Sequence, residues 1–284
     1  MLWLGLASAA TASLLFNVGI VLQALDARVA PRALGLRVAL LARLVAQPRW
    51  VVGWLLGVIG IWPQIVAYSN APFVVVQPVL SVGLLLVLVL AVHVLHERVG
   101  LREVVGVVAI IGGVTLVAWG APGHTEMHRS ALAVVSVVAA LSVSGLAPFL
   151  LRGTRLNTGM LTIVAAGCGF GATNVATKLL GDDFNVGHYG KAAAWGIVGL
   201  GMGVAATVTN MTAFQRRAAT TVVPVSTAVQ TFLPIVLEPL FLRERWGTAV
   251  FDGVPMIAGL LLALLGSVLI AGSSAVSGLI AEAG

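Results

Sequence analysis

The sequence predicts an all-α protein, a polytopic transmembrane helical bundle of nine to ten crossing helices with two inverted-topology repeats. Three observations predict it. Of 284 residues, 59% are hydrophobic and only 9% charged, too little polarity to clothe a soluble domain of this length. The apolar residues run in blocks of about 20, the length a helix needs to cross roughly 30 Å of hydrocarbon. One long pattern of residues also occurs twice, once in each half of the chain.

Nine apolar blocks read as membrane helices, near 2–25, 50–69, 72–95, 102–119, 130–151, 159–180, 191–214, 219–242 and 249–272. The connections are short, as between antiparallel neighbours. The first block begins MLWLGLASAATASLLF, faintly like a signal peptide. It has no basic n-region and its apolar run continues to Leu25, so it reads as a retained helix. The single cysteine, Cys168, lies inside an apolar run and reads as a small buried hydrophobe.

The segment 26–49 is the exception among the connections. Residues 33–47 are apolar enough for a helix but carry Arg37 and Arg43. Each arginine costs about 2.5–3.5 kcal/mol at the centre of a bilayer. The segment either lies in the interface with its arginines snorkelling or forms a short tenth crossing. Fifteen residues fall short of a full crossing, which favours the interface.

The basic residues set an orientation and exclude a nucleic-acid partner. The formal charge is +6, but Lys and Arg sit in short loops between apolar blocks rather than on one solvated face. With the 26–49 segment inside, Arg28, Arg32, Arg37, Arg43, Arg49, Arg98, Arg102, Arg152, Arg155, Arg216 and Arg217 fall on the cytoplasmic side. Arg129, Lys178, Lys191, Arg243 and Arg245 fall outside, giving eleven against five. The positive-inside rule then expects a cytoplasmic C-terminus in a cell or inner membrane. The Ala, Val, Gly and Arg richness is associated with bacteria of GC-rich genomes.

The repeat is the most specific feature. One copy starts at Ala67, AYSNAPFVVVQPVLS, and the other at Ala213, AFQRRAATTVVPVS. Each start lies eleven residues before a proline, Pro78 or Pro224, and each apolar run that follows ends in Glu-Arg, at Glu97–Arg98 and Glu244–Arg245. Nine residues beyond each glutamate stands a glycine, Gly106 or Gly253. The second copy has one residue inserted between proline and glutamate. Repeat 1 spans about 1–120 and repeat 2 about 159–273, with a linking helix near 130–151, all within one membrane domain. An odd number of crossings separates the copies, so they face opposite ways across the membrane. Inverted copies allow two conformations of similar energy, each open to one side, which is the basis of alternating access.

These segments, with HERVGLREVVGVVAIIGG, RERWGTAVFDGVPMIAG, PRWVVGWLLGVIG and GCGFGATNVATK, resemble the drug/metabolite transporter superfamily. They are similar in particular to its EamA-type members and to the NIPA-type magnesium transporters, over roughly residues 2–272. The resemblance implies ten helices in the first branch and about nine in the second, the doubtful 33–47 segment being the difference. It specifies fold better than cargo. Mg²⁺ prefers oxygen ligands, and of ten acidic residues only Glu238 sits well inside a predicted crossing, which weighs against magnesium.

Pro78 and Pro224 each remove one intrahelical hydrogen bond, freeing the carbonyls of Val74 and Thr220. With Gln77, Ser81, Thr220, Thr221, Ser226, Thr227 and Gln230 beside them, these kinked segments read as the lining of a central cavity; packing kinks are the other reading. Asn17, Gln64, Tyr68, Asn70, Asn174, Asn210 and Gln215 either add to that cavity or join helices at about 0.6–2 kcal/mol per bond, and for any one of them the second role is favoured. Glu238, between Pro234 and Pro239, stands equally as a proton-coupling carboxylate, with Lys178 near the same leaflet, or as a group reaching the outer interface. His93, His96 and Glu97 share one helix face, yet they and Glu244 read as boundary residues rather than a metal site.

The expected function is a secondary transporter for a small metabolite, an amphipathic compound or a lipid-linked solute, partnered by the lipid bilayer. The alternative is a NIPA-like divalent-cation pathway. An enzyme would need convergent acids, histidines or metal ligands, and four of the five histidines lie at predicted ends or loops. A scaffold would not need inverted copies. No catalytic group, resident metal or cofactor is called for.

Overall fold

Helix formation here follows from solvent rather than propensity. In hydrocarbon every backbone N–H and C=O must be satisfied within the segment, so even the β-branched run of FVVVQPVLSVGLLLVLVLAVH folds as a helix. The computed structural model describes residues 2–71, 73–120, 131–242 and 250–282. Among these are ten α-helices: α1 (Leu2–Val29), α2 (Val38–Val45), α3 (Pro48–Asn70), α4 (Phe73–His93), α5 (Leu101–Gly120), α6 (Ala131–Leu150), α7 (Gly159–Asn185), α8 (Tyr189–Arg216), α9 (Ala219–Leu242) and α10 (Val254–Glu282). All nine predicted blocks are helices, but the last, expected over 249–272, runs from Val254 to Glu282. Six of these helices contain stretches long and apolar enough to cross a membrane, and α4, α6 and α9 contain shorter apolar stretches.

The doubtful segment resolves as α2, eight residues long and far short of a crossing. Leu40 and Leu44 are fully buried on one side, while Arg37 and Arg43 are exposed. Apolar residues one turn apart with arginines elsewhere are the pattern of a helix lying along an interface.

The first prediction that needs correction is the end of α1. The apolar run stops at Leu25, but the helix continues another turn to Val29. Val21, Ala24, Ala27 and Ala30 are all buried at a spacing of three, so the packing face outlasts the hydrophobic composition. Asp26 and Arg28 therefore belong to a helix rather than a loop.

Small residues let the helices approach closely. A β-carbon added at Gly19 would stand 2.5 Å from the carbonyl oxygen of Gly53, and one at Gly5 would stand 2.6 Å from Ala71 Cβ. As α1 ascends, α3 therefore descends. Likewise a β-carbon at Gly113 would meet the Gly259 oxygen at 2.5 Å, and one at Gly106 would meet the Gly266 oxygen at 2.8 Å, so α5 and α10 run antiparallel. In a membrane this close contact replaces hydrophobic burial as the source of helix association.

The pairings follow one scheme in both halves. α1 packs on α3 and α4, and α4 on α5; α7 packs on α8 and α9, and α9 on α10. α5 meets α10, and α4 meets α9, where the halves join. α6 packs along α7 and α9.

Candidate transport site

Among the described residues, the buried polar side chains lie chiefly on α1, α8 and α9, with Ser81 on α4. On α1, the Ser13 hydroxyl donates to the Leu80 carbonyl of α4 at 2.8 Å, and Asn17 Nδ2 donates to the Ser13 carbonyl at 2.7 Å. Gly83 makes this contact possible, because a β-carbon there would strike both Ser13 and Asn17. Ser81 is buried on α4. On α9, Thr220, Thr221, Pro224 and Ser226 are buried, while Thr227 and Gln230 are half-buried. Ser226 Oγ donates to the Val223 carbonyl at 3.2 Å, and the Ser226 carbonyl lies 2.8 Å from where a β-carbon on Gly167 of α7 would stand. α4 and α9 stay helical through Pro78 and Pro224.

Other predicted cavity residues are less central. Gln64 and Asn70 lie half-buried on α3, which packs mainly along α1, and Asn70 Nδ2 donates to its own helix at Val66, 2.9 Å away. Asn174 is exposed on α7. The side chains of Tyr68, Gln77, Pro78, Lys178 and Glu238, and the whole of Glu244, lie outside the described residues.

Among the described residues, two buried oxygen atoms have no hydrogen-bond partner: Oδ2 of Asp26 on α1 and Oδ1 of Asn210 on α8. Asp26 is 8% exposed and Asn210 is 3% exposed. A buried carboxylate oxygen without a partner is costly and calls for a donor or a cation. Asp26 was missed by sequence reasoning because it stands one residue beyond the apolar run. The buried face Val21, Ala24, Ala27, Ala30, repeating every three residues, is the signal that would have found it.

Besides the packing of α5 on α10 and α4 on α9, the end of the bundle that carries Arg28, Glu97 and Arg216 holds side-chain hydrogen bonds and an ion pair that join the two halves. α4 stops at His93, and the chain turns through His96 at φ 54°, a left-handed conformation that histidine tolerates better than branched residues. Glu97 N–H then donates back to the Ala91 carbonyl at 2.9 Å, which holds the residue beneath the helix end. The Glu97 carboxylate accepts from the N–H groups of Ala219 at 2.7 Å and Thr220 at 3.0 Å and pairs with the Arg28 guanidinium. It thus caps α9, whose first N–H groups have no partner within their own helix. Its side chain is only 7% exposed.

The second half reciprocates at the same end. Gln215 Nε2 on α8 donates to the carbonyls of Ala30 and Pro31 at 3.2 and 3.3 Å. Thr212 Oγ1 accepts from the Leu36 N–H at 2.9 Å, and Trp50 Nε1 lies 3.3 Å from Met211 Sδ. Arg216 reaches Asn157 Oδ1 at 2.8 Å. The H-x-x-H-E string lies at and just beyond the end of α4, and Glu97 does more than mark that end. No group of three or more His, Cys, Asp or Glu side chains suited to a metal occurs among the described residues.

Long apolar helices, glycine-mediated crossings and buried polar groups between them define a multi-pass α-helical membrane protein. The sequence pattern of the family described as Magnesium transporter NIPA matches residues 5–147, half of the chain. The chain belongs to this family of membrane transporters, which is not a family of enzymes. The match runs from α1 nearly to the end of α6, so it contains Asp26, Arg28 and Glu97. No curated protein and no solved structure matches the chain. Of the two cargo expectations, the family favours the divalent cation over the metabolite.

Proposed function

We propose that this protein carries a divalent cation, Mg²⁺ foremost, across the bilayer by alternating access between two inverted halves. The family match carries this reading. The matching helix pairings of the two halves and the twofold sequence pattern support the inverted relationship. Mg²⁺ sheds water reluctantly and is commonly held by one or two carboxylates while keeping several waters. A single buried carboxylate with a free oxygen suits such a partly hydrated ion better than a dense acidic cage would. Asp26 is that carboxylate, and the carbonyl oxygens of Asn210 and Asn17 are neutral ligands for the same kind of cargo. Pro78, Pro224 and the polar residues beside them line the route in this proposal, and Glu238 is a candidate for proton coupling.

The test is uptake by purified protein in proteoliposomes, followed with a Mg²⁺-sensitive dye trapped inside. Protein-dependent Mg²⁺ entry above that of empty vesicles is expected. Vesicles that admit no Mg²⁺ but accumulate an amphipathic or metabolite tracer would reverse the cargo assignment.

A further inference from the structure

We propose that Glu97 is the latch of a gate at the arginine-rich end, a positioning residue for transport that holds this end shut in the present conformation. The inference rests on the alternating-access part of the proposed function and is independent of the cargo. One carboxylate binds both the start of α9 and the end of α1: it accepts from Ala219 and Thr220 and pairs with Arg28. These partners belong to different halves of the bundle. Charge-assisted bonds of this kind are about twice as strong as neutral ones, and burial at 7% exposure shields them from screening.

The geometry points to a releasable tie rather than a permanent weld. Glu97 sits on the short irregular link after α4, not within a helix, so its carboxylate can leave α9 without unwinding any element. α9 keeps its helical bonds when the latch opens, since its first N–H groups need only water or another acceptor. The contacts of Gln215, Thr212 and Met211 on α8 lie alongside and close the same end from the other half. Below the latch, Thr221, Pro224 and Ser226 on α9 are sealed, Thr221 at 2% exposure. Releasing Glu97 frees the start of α9 to swing away from α1 and opens that polar stretch to water from this end only.

The experiment is cysteine accessibility without cargo. In a Cys168→Ala background, Thr221→Cys reports on the sealed stretch, and Ala192→Cys, 4% exposed at the start of α8, reports on the far end. Membrane-impermeant maleimide is applied to each face of oriented vesicles, the arginine-rich face being the one that labels an exposed Val45→Cys reporter on α2. Glu97→Gln is expected to raise labelling of Thr221→Cys from that face by about tenfold or more, a shift in a two-state population. Ala192→Cys should stay protected, and Glu97→Asp should bring the Thr221→Cys rate back toward the parent. Equal rates with Glu and Gln would overturn the latch, as would a joint rise at Thr221→Cys and Ala192→Cys, which reports general loosening. A latch that passes while Mg²⁺ uptake fails would leave only the cargo wrong; the reverse result would leave only the latch wrong.

Discussion

The Glu97 carboxylate accepts a 2.7 Å hydrogen bond from the backbone nitrogen of Ala219, 122 positions further along the chain. This contact reaches from the family-matched first half to the first turn of α9. Its partner Arg28 is on α1, so three separate elements meet at one side chain.

That meeting point predicts coupled energetics. Hydrogen bonds to a charged group contribute about 1.5–3 kcal/mol, so Glu97→Ala should lower stability in detergent by that order. Arg28→Ala should cost less, its side chain being 24% exposed. Unfolding measurements on both single variants and the double variant should give an interaction energy of at least about 0.5 kcal/mol. Strict additivity would mean that the two side chains do not act on each other.

The antiparallel crossing of α5 and α10 predicts a steric sensitivity. Adding a side chain at Gly113 or Gly259 drives a carbon to 2.5 or 2.6 Å from a facing backbone oxygen, which cannot yield as a flexible side chain would. Gly113→Leu should therefore destabilise the protein by about 1–3 kcal/mol or more. Gly57, where a β-carbon meets nothing within 4 Å, is the control, and Gly57→Ala should be well tolerated. Thermal unfolding of the two variants in one detergent compares them directly.

Asp26 predicts a split between stability and function. Asp26→Asn removes a buried charge that has an oxygen without a partner, so the folded state should be unharmed or slightly more stable. Under the cation proposal, Mg²⁺ uptake into proteoliposomes should nevertheless fall about tenfold or more, the equivalent of about 1.4 kcal/mol in binding. Uptake at the parent rate would remove Asp26 from the transport route.

α2 predicts a topology. Its two ends carry exposed valines, Val38 at 70% and Val45 at 57%. Placed singly in the Cys168→Ala background, Val38→Cys and Val45→Cys should react with impermeant maleimide from the same face of the membrane. Labelling from opposite faces would make α2 a crossing helix.

Much of this architecture was legible because membrane helices are specified locally. A block of about 20 apolar residues can only bury its backbone polar groups by becoming a helix, so nine elements followed from composition and length. The same logic favoured the interface for α2: fifteen apolar residues holding two arginines fall short of a full crossing, and the helix that forms has only eight. Helix ends were harder, because they are decided by what packs beside them. α1 outruns its apolar block since Ala27 and Ala30 still fit against neighbours, and that extra turn buries Asp26.

The candidate site was legible only in part. Thr220, Thr221, Pro224 and Ser226, expected to line a cavity, are buried on α9, and Asn17 on α1 and Ser81 on α4 are buried too. Asn174 has the same residue type at a similar depth in its block, yet it is exposed. Which face of a helix a polar residue occupies depends on its neighbours, and low-amphipathicity helices such as α4 and α7 carry little record of their buried face.

Residue by residue, then, the chain alone dictated that it would be helical and membrane-embedded, because both properties are enforced over a few turns by the bilayer. Tertiary structure alone decided that Glu97 caps α9, that Gln215 holds the end of α1, and that Asp26 keeps a buried oxygen without a partner. Those outcomes depend on groups brought together from distant parts of the chain, and no local pattern of hydrophobicity encodes such a meeting.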